Sequence, residues 1–115
     1  MTDNEFLNLA SNVLEKIEVW FEKISDSFDF DIDFNRSGNV LEIEFLSDNS
    51  KIIVNTQSSL QEIWVASRSG GFHFKLIENS WINTQNQEEL FMSLAKLVNE
   101  NFKISIEKLI FLFDE

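Results

Sequence analysis

The hydrophobic period of this chain changes twice along its length, and that change limits the folds open to it. From Asn4 to about Ile24, the apolar residues Phe6, Leu9, Val13, Ile17, Trp20 and Ile24 recur every three or four positions, the mark of an amphipathic helix with one buried stripe. Thr2 or Asp3 can cap its start. The period then drops to two, or to short apolar runs, through FDFDIDF, VLEIEFL, KIIVN, EIWVAS, GFHFKLI and SWIN. Short polar or glycine-bearing breaks at 37–39, 47–50, 69–71 and 78–80 are of hairpin length, which predicts an antiparallel meander. Between Gln87 and Phe102 the helical period returns through Leu90, Phe91, Leu94, Leu97, Val98 and Phe102, with Glu88 and Glu89 at its first turn. One helix, about six strands and a second helix predict an α+β two-layer sandwich, both helices on one face of the sheet and the other face open. Residues 103–115 form an apolar tail whose burial, but not its conformation, is readable.

At 115 residues the chain has the length of one domain, and 43% apolar residues with 12 Phe and 3 Trp supply a core. Without cysteine there are no disulfides, thiolate ligands or thiol nucleophiles. Twenty acidic residues against nine basic ones give a net charge of −11, a field that repels phosphate backbones and anionic lipid and attracts metal cations and basic protein surfaces. The opening residues MTDNEFLNLA carry no basic or long apolar leader, so the expected location is the cytoplasm.

The most unusual stretch is FDFDIDFN at 28–35. Read as a strand, it sends Phe28, Phe30, Ile32 and Phe34 to the core and places Asp29, Asp31 and Asp33 in an exposed row. The helix acids Glu15, Glu18 and Glu22 lie opposite its apolar stripe, with Asp26 at the junction, so helix and strand acids can form one ridge. Carboxylates alone offer hard oxygen ligands suited to iron, calcium, magnesium or manganese, in an open and weak site. The same acids equally suit a plain solvated coat. A calcium loop is excluded because its sixth position is Phe34 and its twelfth Val40. His73 is the sole histidine and no triad can be assembled around it; no phosphate-binding glycine loop is present. Trp64 suits either a core position or, beside the polar run NTQSSLQE, a wet surface.

At NTQSSLQEIWVASRSGGFHFKL, residues 55–76, the chain resembles the frataxin family, which carries an Asn-x-Gln segment, a Gln-Ile/Val-Trp-x-Ala/Ser strand and a Gly-Pro/Gly-Phe/Tyr-x-Phe/Tyr strand. The resemblance extends over about residues 3 to 100 and is nearest the bacterial type. It implies two helices on an antiparallel sheet and a protein that is not an enzyme. It also implies weak binding of Fe2+ or Fe3+, with other divalent cations admitted, at Glu18, Glu22, Asp29, Asp31 and Asp33, with Asp26 adjoining and Asp3 contributing. The resemblance further implies that these acids dock on a basic patch of cysteine desulfurase, while Asn55, Gln57 and Trp64 on the open sheet face contact the iron–sulfur scaffold machinery. The expected state is a monomer that iron could assemble into oligomers. Two alternatives remain: a ferroxidase-type enzyme, and an acidic protein-binding module with no physiological metal. The chain departs from the family pattern at Val19, Lys23 and Ser25, where bacterial relatives often have further acids, and at Ser59, where proline is usual.

Overall fold

In a computed structural model, described here for residues 1–113, helix α1 (Asp3–Phe28) is followed by six strands. These are β1 (Ile32–Ser37), β2 (Val40–Phe45), β3 (Ser50–Gln57), β4 (Glu62–Ser67), β5 (Gly70–Ile77) and β6 (Ser80–Asn83). Helices α2 (Leu90–Phe102) and α3 (Ile106–Phe113) complete the chain. The sheet is an antiparallel meander in sequence order, as the short turns predict. Its β5–β6 turn holds Glu78 and Asn79 both at positive φ, the twist that suits a two-residue hairpin. Leu41, Ile43, Phe45, Ile52, Val54, Ile63, Val65 and Phe74 cover one sheet face and pack with Phe6, Leu14, Ile17, Trp20, Phe21 and Ile24 of α1 in a single core.

Three local results differ from the sequence reading. The buried stripe of α1 runs through Ala10 and Leu14, so Leu9 is exposed and Val13 only half-buried. The helix runs a full turn past Ile24, because Phe28 continues the stripe at i+4, and it ends where Asp29 turns left-handed (φ 58°). The backbone N–H groups of Asp29 and Phe30 both donate to the Ser25 carbonyl, closing the end. The strand therefore starts at Ile32 rather than Phe28, although the alternation of half-buried and exposed side chains holds from 28 to 34. At the other end of the domain Glu89 is the cap of α2 itself, accepting from the Phe91 and Met92 N–H groups. Glu88 holds Ser93 and Lys96 instead.

The apolar tail forms α3. The buried Trp20 indole donates to the Leu109 carbonyl at 2.8 Å, and Phe113 stacks near Phe91 with ring centres 4.2 Å apart. Leu109 and Leu112 of this helix are buried, as is Ile104 just before it, so α3 adds to the helical layer that the second helix alone was expected to complete. The last two residues of the predicted tail, 114 and 115, lie outside the described residues.

Candidate functional site

Glu18, Glu22 and Asp26 follow one another at i+4 along α1, a column with about 6 Å between neighbours. Glu22 and Asp26 are exposed and Glu18 is half-buried. Asp29 continues the column as the helix cap, Asp31 lies in the connection with its carbonyl accepting from Leu46 N–H, and Asp33 stands in β1. All three are exposed, while Phe28, Phe30, Ile32 and Phe34 pack against the core. The charge row thus turns a corner, from the helix layer to the sheet edge. Asp3, at the far end of a 26-residue helix, is about 35 Å from Asp26 and takes no part.

Folding alone gives little reason for these acids. Like charges at i,i+4 each cost about 0.2–0.5 kcal/mol. Asp26 and Asp29 sit at the negative end of the helix dipole, in a last turn with no basic residue, where an anion is disfavoured by about 0.3–1 kcal/mol. Asp29 also occupies a left-handed position that glycine takes more readily. Asp33 lies directly across from Glu44 of β2, a like-charge cross-strand pair. Among the described residues none of Glu18, Glu22, Asp26, Asp29, Asp31 and Asp33 joins an ion pair, and no three His, Asp or Glu side chains come together as a metal-binding group. The row is a line of anionic oxygen, open to solvent, and not a chelating pocket.

Other acids of the chain have structural work. Asp48 accepts from the Ser50 hydroxyl and backbone N–H, which hold its pKa below the ordinary value. Burial pushes the Glu88 carboxyl up, but hydrogen bonds from Lys96 and Ser93 outweigh it and its pKa is lowered. Glu42 pairs with Lys51 at 3.1 Å; that bond, then the charges of Glu42 and Glu44, raise the lysine's pKa. Glu42 and Glu44 extend the acidic edge onto the open sheet face, and the sequence reading left them out of the site. The two-residue turn at Gly38 and Asn39 sets the register that places Glu44 against Asp33, so the signal was present.

The open face bears the second group of expected residues. Asn55 and Gln57 project from β3, joined by a 2.9 Å hydrogen bond from Gln57 Nε2 to Asn55 Oδ1. The register sets Asn55 beside Trp64, Trp64 beside His73, Gln57 beside Glu62 and Glu62 beside Lys75. Trp64 is half-buried on this face and outside the core. Its indole N–H donates to Glu62 Oε1 at 2.8 Å, and the His73 ring lies flat on it, with centres 4.2 Å apart and an interplanar angle of 6°. Glu62 was not among the expected residues. Gln61 stands one place too far from Trp64 for the Gln-Ile/Val-Trp motif, and the position of that glutamine is occupied by Glu62.

Residues 1–104 match the family model described as a frataxin-like domain. The chain is 49% identical over 106 residues to the iron-sulfur cluster assembly protein CyaY of Janthinobacterium sp. (strain Marseille), an alignment covering 92% of this chain and 95% of that one. It is 45% identical, with the same coverage, to the protein of the same name from Herminiimonas arsenicoxydans. Among solved structures, frataxin from Psychromonas ingrahamii superposes with a TM-score of 0.78 at 31% identity, over 91% of this chain and 95% of the other. Among the described residues no helix is long and apolar enough to cross a membrane. Sequence motif, sheet topology and these similarities agree, and the chain belongs to the frataxin-like family.

Proposed function

We propose that this protein is a non-enzymatic adaptor of iron–sulfur cluster assembly, as the name borne by its relatives suggests. Ferrous or ferric iron is its cargo, held weakly along Glu18, Glu22, Asp26, Asp29, Asp31 and Asp33. The observation that carries this reading is the placement of Asp26, Asp29 and Asp33 where the helix dipole, the left-handed backbone and a cross-strand glutamate all oppose them. Carboxylates retained against such costs serve something outside the fold. The donor set fits a hard cation, and its open arrangement fits binding that releases iron readily.

The same edge docks on a basic patch of cysteine desulfurase, with charge setting the rate of encounter. Asn55, Gln57 and Trp64 contact the assembly complex through the open sheet face, Trp64 as the aromatic anchor. The protein acts as a cytoplasmic monomer. One observation favours a second reading, an acidic docking module without metal: no three acidic side chains converge among the described residues. Calorimetric titration of the protein, and of its Asp29→Asn/Asp31→Asn/Asp33→Asn variant, with Fe2+ and then with desulfurase separates the two. Loss of both interactions supports the adaptor. Desulfurase binding by the wild type without any detectable uptake of iron supports the metal-free module.

A further inference from the structure

The open sheet face contains a carboxylate that ought to be in water and is not. Glu62 lies on the side away from the helices, yet it is only 8% exposed. Its Oε1 takes the Trp64 indole N–H at 2.8 Å. Two other side-chain nitrogens lie farther off: His73 Nδ1 at 3.6 Å from Oε1 and Lys75 Nζ at 3.8 Å from Oε2, both beyond hydrogen-bond length. That one hydrogen bond ties the carboxylate to the edge of the indole ring. From the other side His73 stacks on Trp64 nearly parallel. An indole on an open sheet face has two free torsions and would ordinarily sample several rotamers. Here one edge is bonded and one face covered, and the β4–β5 register that pairs Trp64 with His73 and Glu62 with Lys75 builds both restraints into a single hairpin.

We propose that Glu62 and His73 are positioning residues which hold the Trp64 indole in one orientation, so that the open face offers a preformed aromatic platform to its protein partner. This rests on the reading of Trp64 as the anchor for the assembly complex and adds the residues that make it rigid. An ordered anchor has less conformational entropy left to lose on docking; freeing one such side chain should weaken binding by roughly three- to tenfold. A charged acceptor makes a stronger hydrogen bond than a neutral one, and Gln at position 62 retains an acceptor oxygen without the charge.

The test uses the full chain labelled with 15N, reading the Trp64 indole N–H resonance and its order parameter together with affinity for the desulfurase–scaffold complex. The wild-type indole should be as rigid as backbone, with an order parameter near about 0.85. Glu62→Leu and His73→Ala should each lower it and weaken docking, with melting temperature nearly unchanged. Glu62→Gln and His73→Phe, which keep an acceptor and a flat ring, should restore most of both. An indole equally ordered in Glu62→Leu, or docking unchanged once the indole is mobile, would overturn the proposal. Trp64→Ala separates this from the parent reading: if it weakens docking while Glu62→Leu does not, only the positioning role fails. If Trp64→Ala also docks normally, the anchor itself is wrong and the platform falls with it.

Discussion

The acidic edge and the open sheet face are both exposed and both polar, yet they are built on opposite principles. Along the edge, carboxylates repel one another, oppose a helix dipole and lack ion-pair partners among the described residues. Around Trp64 the polar groups satisfy one another: Gln57 donates to Asn55, Trp64 donates to Glu62, and His73 stacks on the indole. An unpaired row of charge makes a long-range field with little geometric selectivity. An interlocked cluster makes a short-range surface of defined shape. The difference suggests a division of labour in which the edge gathers cations and speeds encounter, while the face decides how long a partner stays.

The largest expected effect comes from inverting the edge. Asp29→Lys/Asp31→Lys/Asp33→Lys should abolish iron uptake and slow desulfurase association by about ten- to a hundredfold at low salt, as stopped-flow fluorescence would measure. The same variant should melt no lower than wild type, because it removes repulsion. Next comes Trp64→Ala, expected to weaken docking by about 2 kcal/mol through faster dissociation while sparing iron binding and the fold. A collapse in melting temperature would place Trp64 in the core and erase the contrast. Salt sharpens it further. Raising ionic strength from about 0.01 to 1 M shortens the screening length from about 30 to 3 Å. Wild-type association should then fall to the rate of the charge-reversed variant, and the Trp64→Ala defect in dissociation should persist.

Smaller effects are expected in stability. Asp29→Gly should stabilise the domain by up to about 1 kcal/mol in thermal denaturation, by relieving the left-handed backbone and the dipole, at the expense of iron affinity. A destabilised variant would mean that the fold needs this aspartate. Acid should reveal the opposite kind of carboxylate. The Glu88 pKa is lowered in the folded state, so its contribution is present above the unfolded value and is lost as pH falls below the ordinary glutamate value of 4.5. Asp48, also lowered, behaves in the same sense as pH falls below the ordinary aspartate value of 3.8. Asp48→Asn/Glu88→Gln should flatten that limb of the stability–pH curve.

Much of this was readable because period and turn length are local. The strands β2 to β6 fall within a residue or two of the predicted runs, since each hairpin break is short and each face alternates. The row Asp29, Asp31 and Asp33 was visible as exposed, but its backbone was misread. Alternation of apolar and acidic residues describes burial, and burial here is shared between a helix end, a connection and a strand. The end of α1 was set by Phe28 reaching the core, a tertiary contact that FDFDIDF does not announce. α3 was hidden for a related reason: its position depends on the Trp20 indole meeting the Leu109 carbonyl, 89 residues away. Glu62 escaped notice because a glutamate beside the polar run NTQSSLQE reads as solvated, and only the folded sheet shows it 8% exposed and bonded to the Trp64 indole.

The division between edge and face is tested most directly by residue-resolved NMR of the protein titrated with Fe2+, whose paramagnetism broadens nearby amides. The account predicts that Glu22, Asp26, Asp29, Asp31 and Asp33 lose intensity first, with Asn55, Gln57 and Trp64 unaffected until the assembly complex is added. Broadening that spreads evenly over exposed acids such as Glu78, Glu100 and Glu107, or that centres on Trp64 and His73, would contradict it.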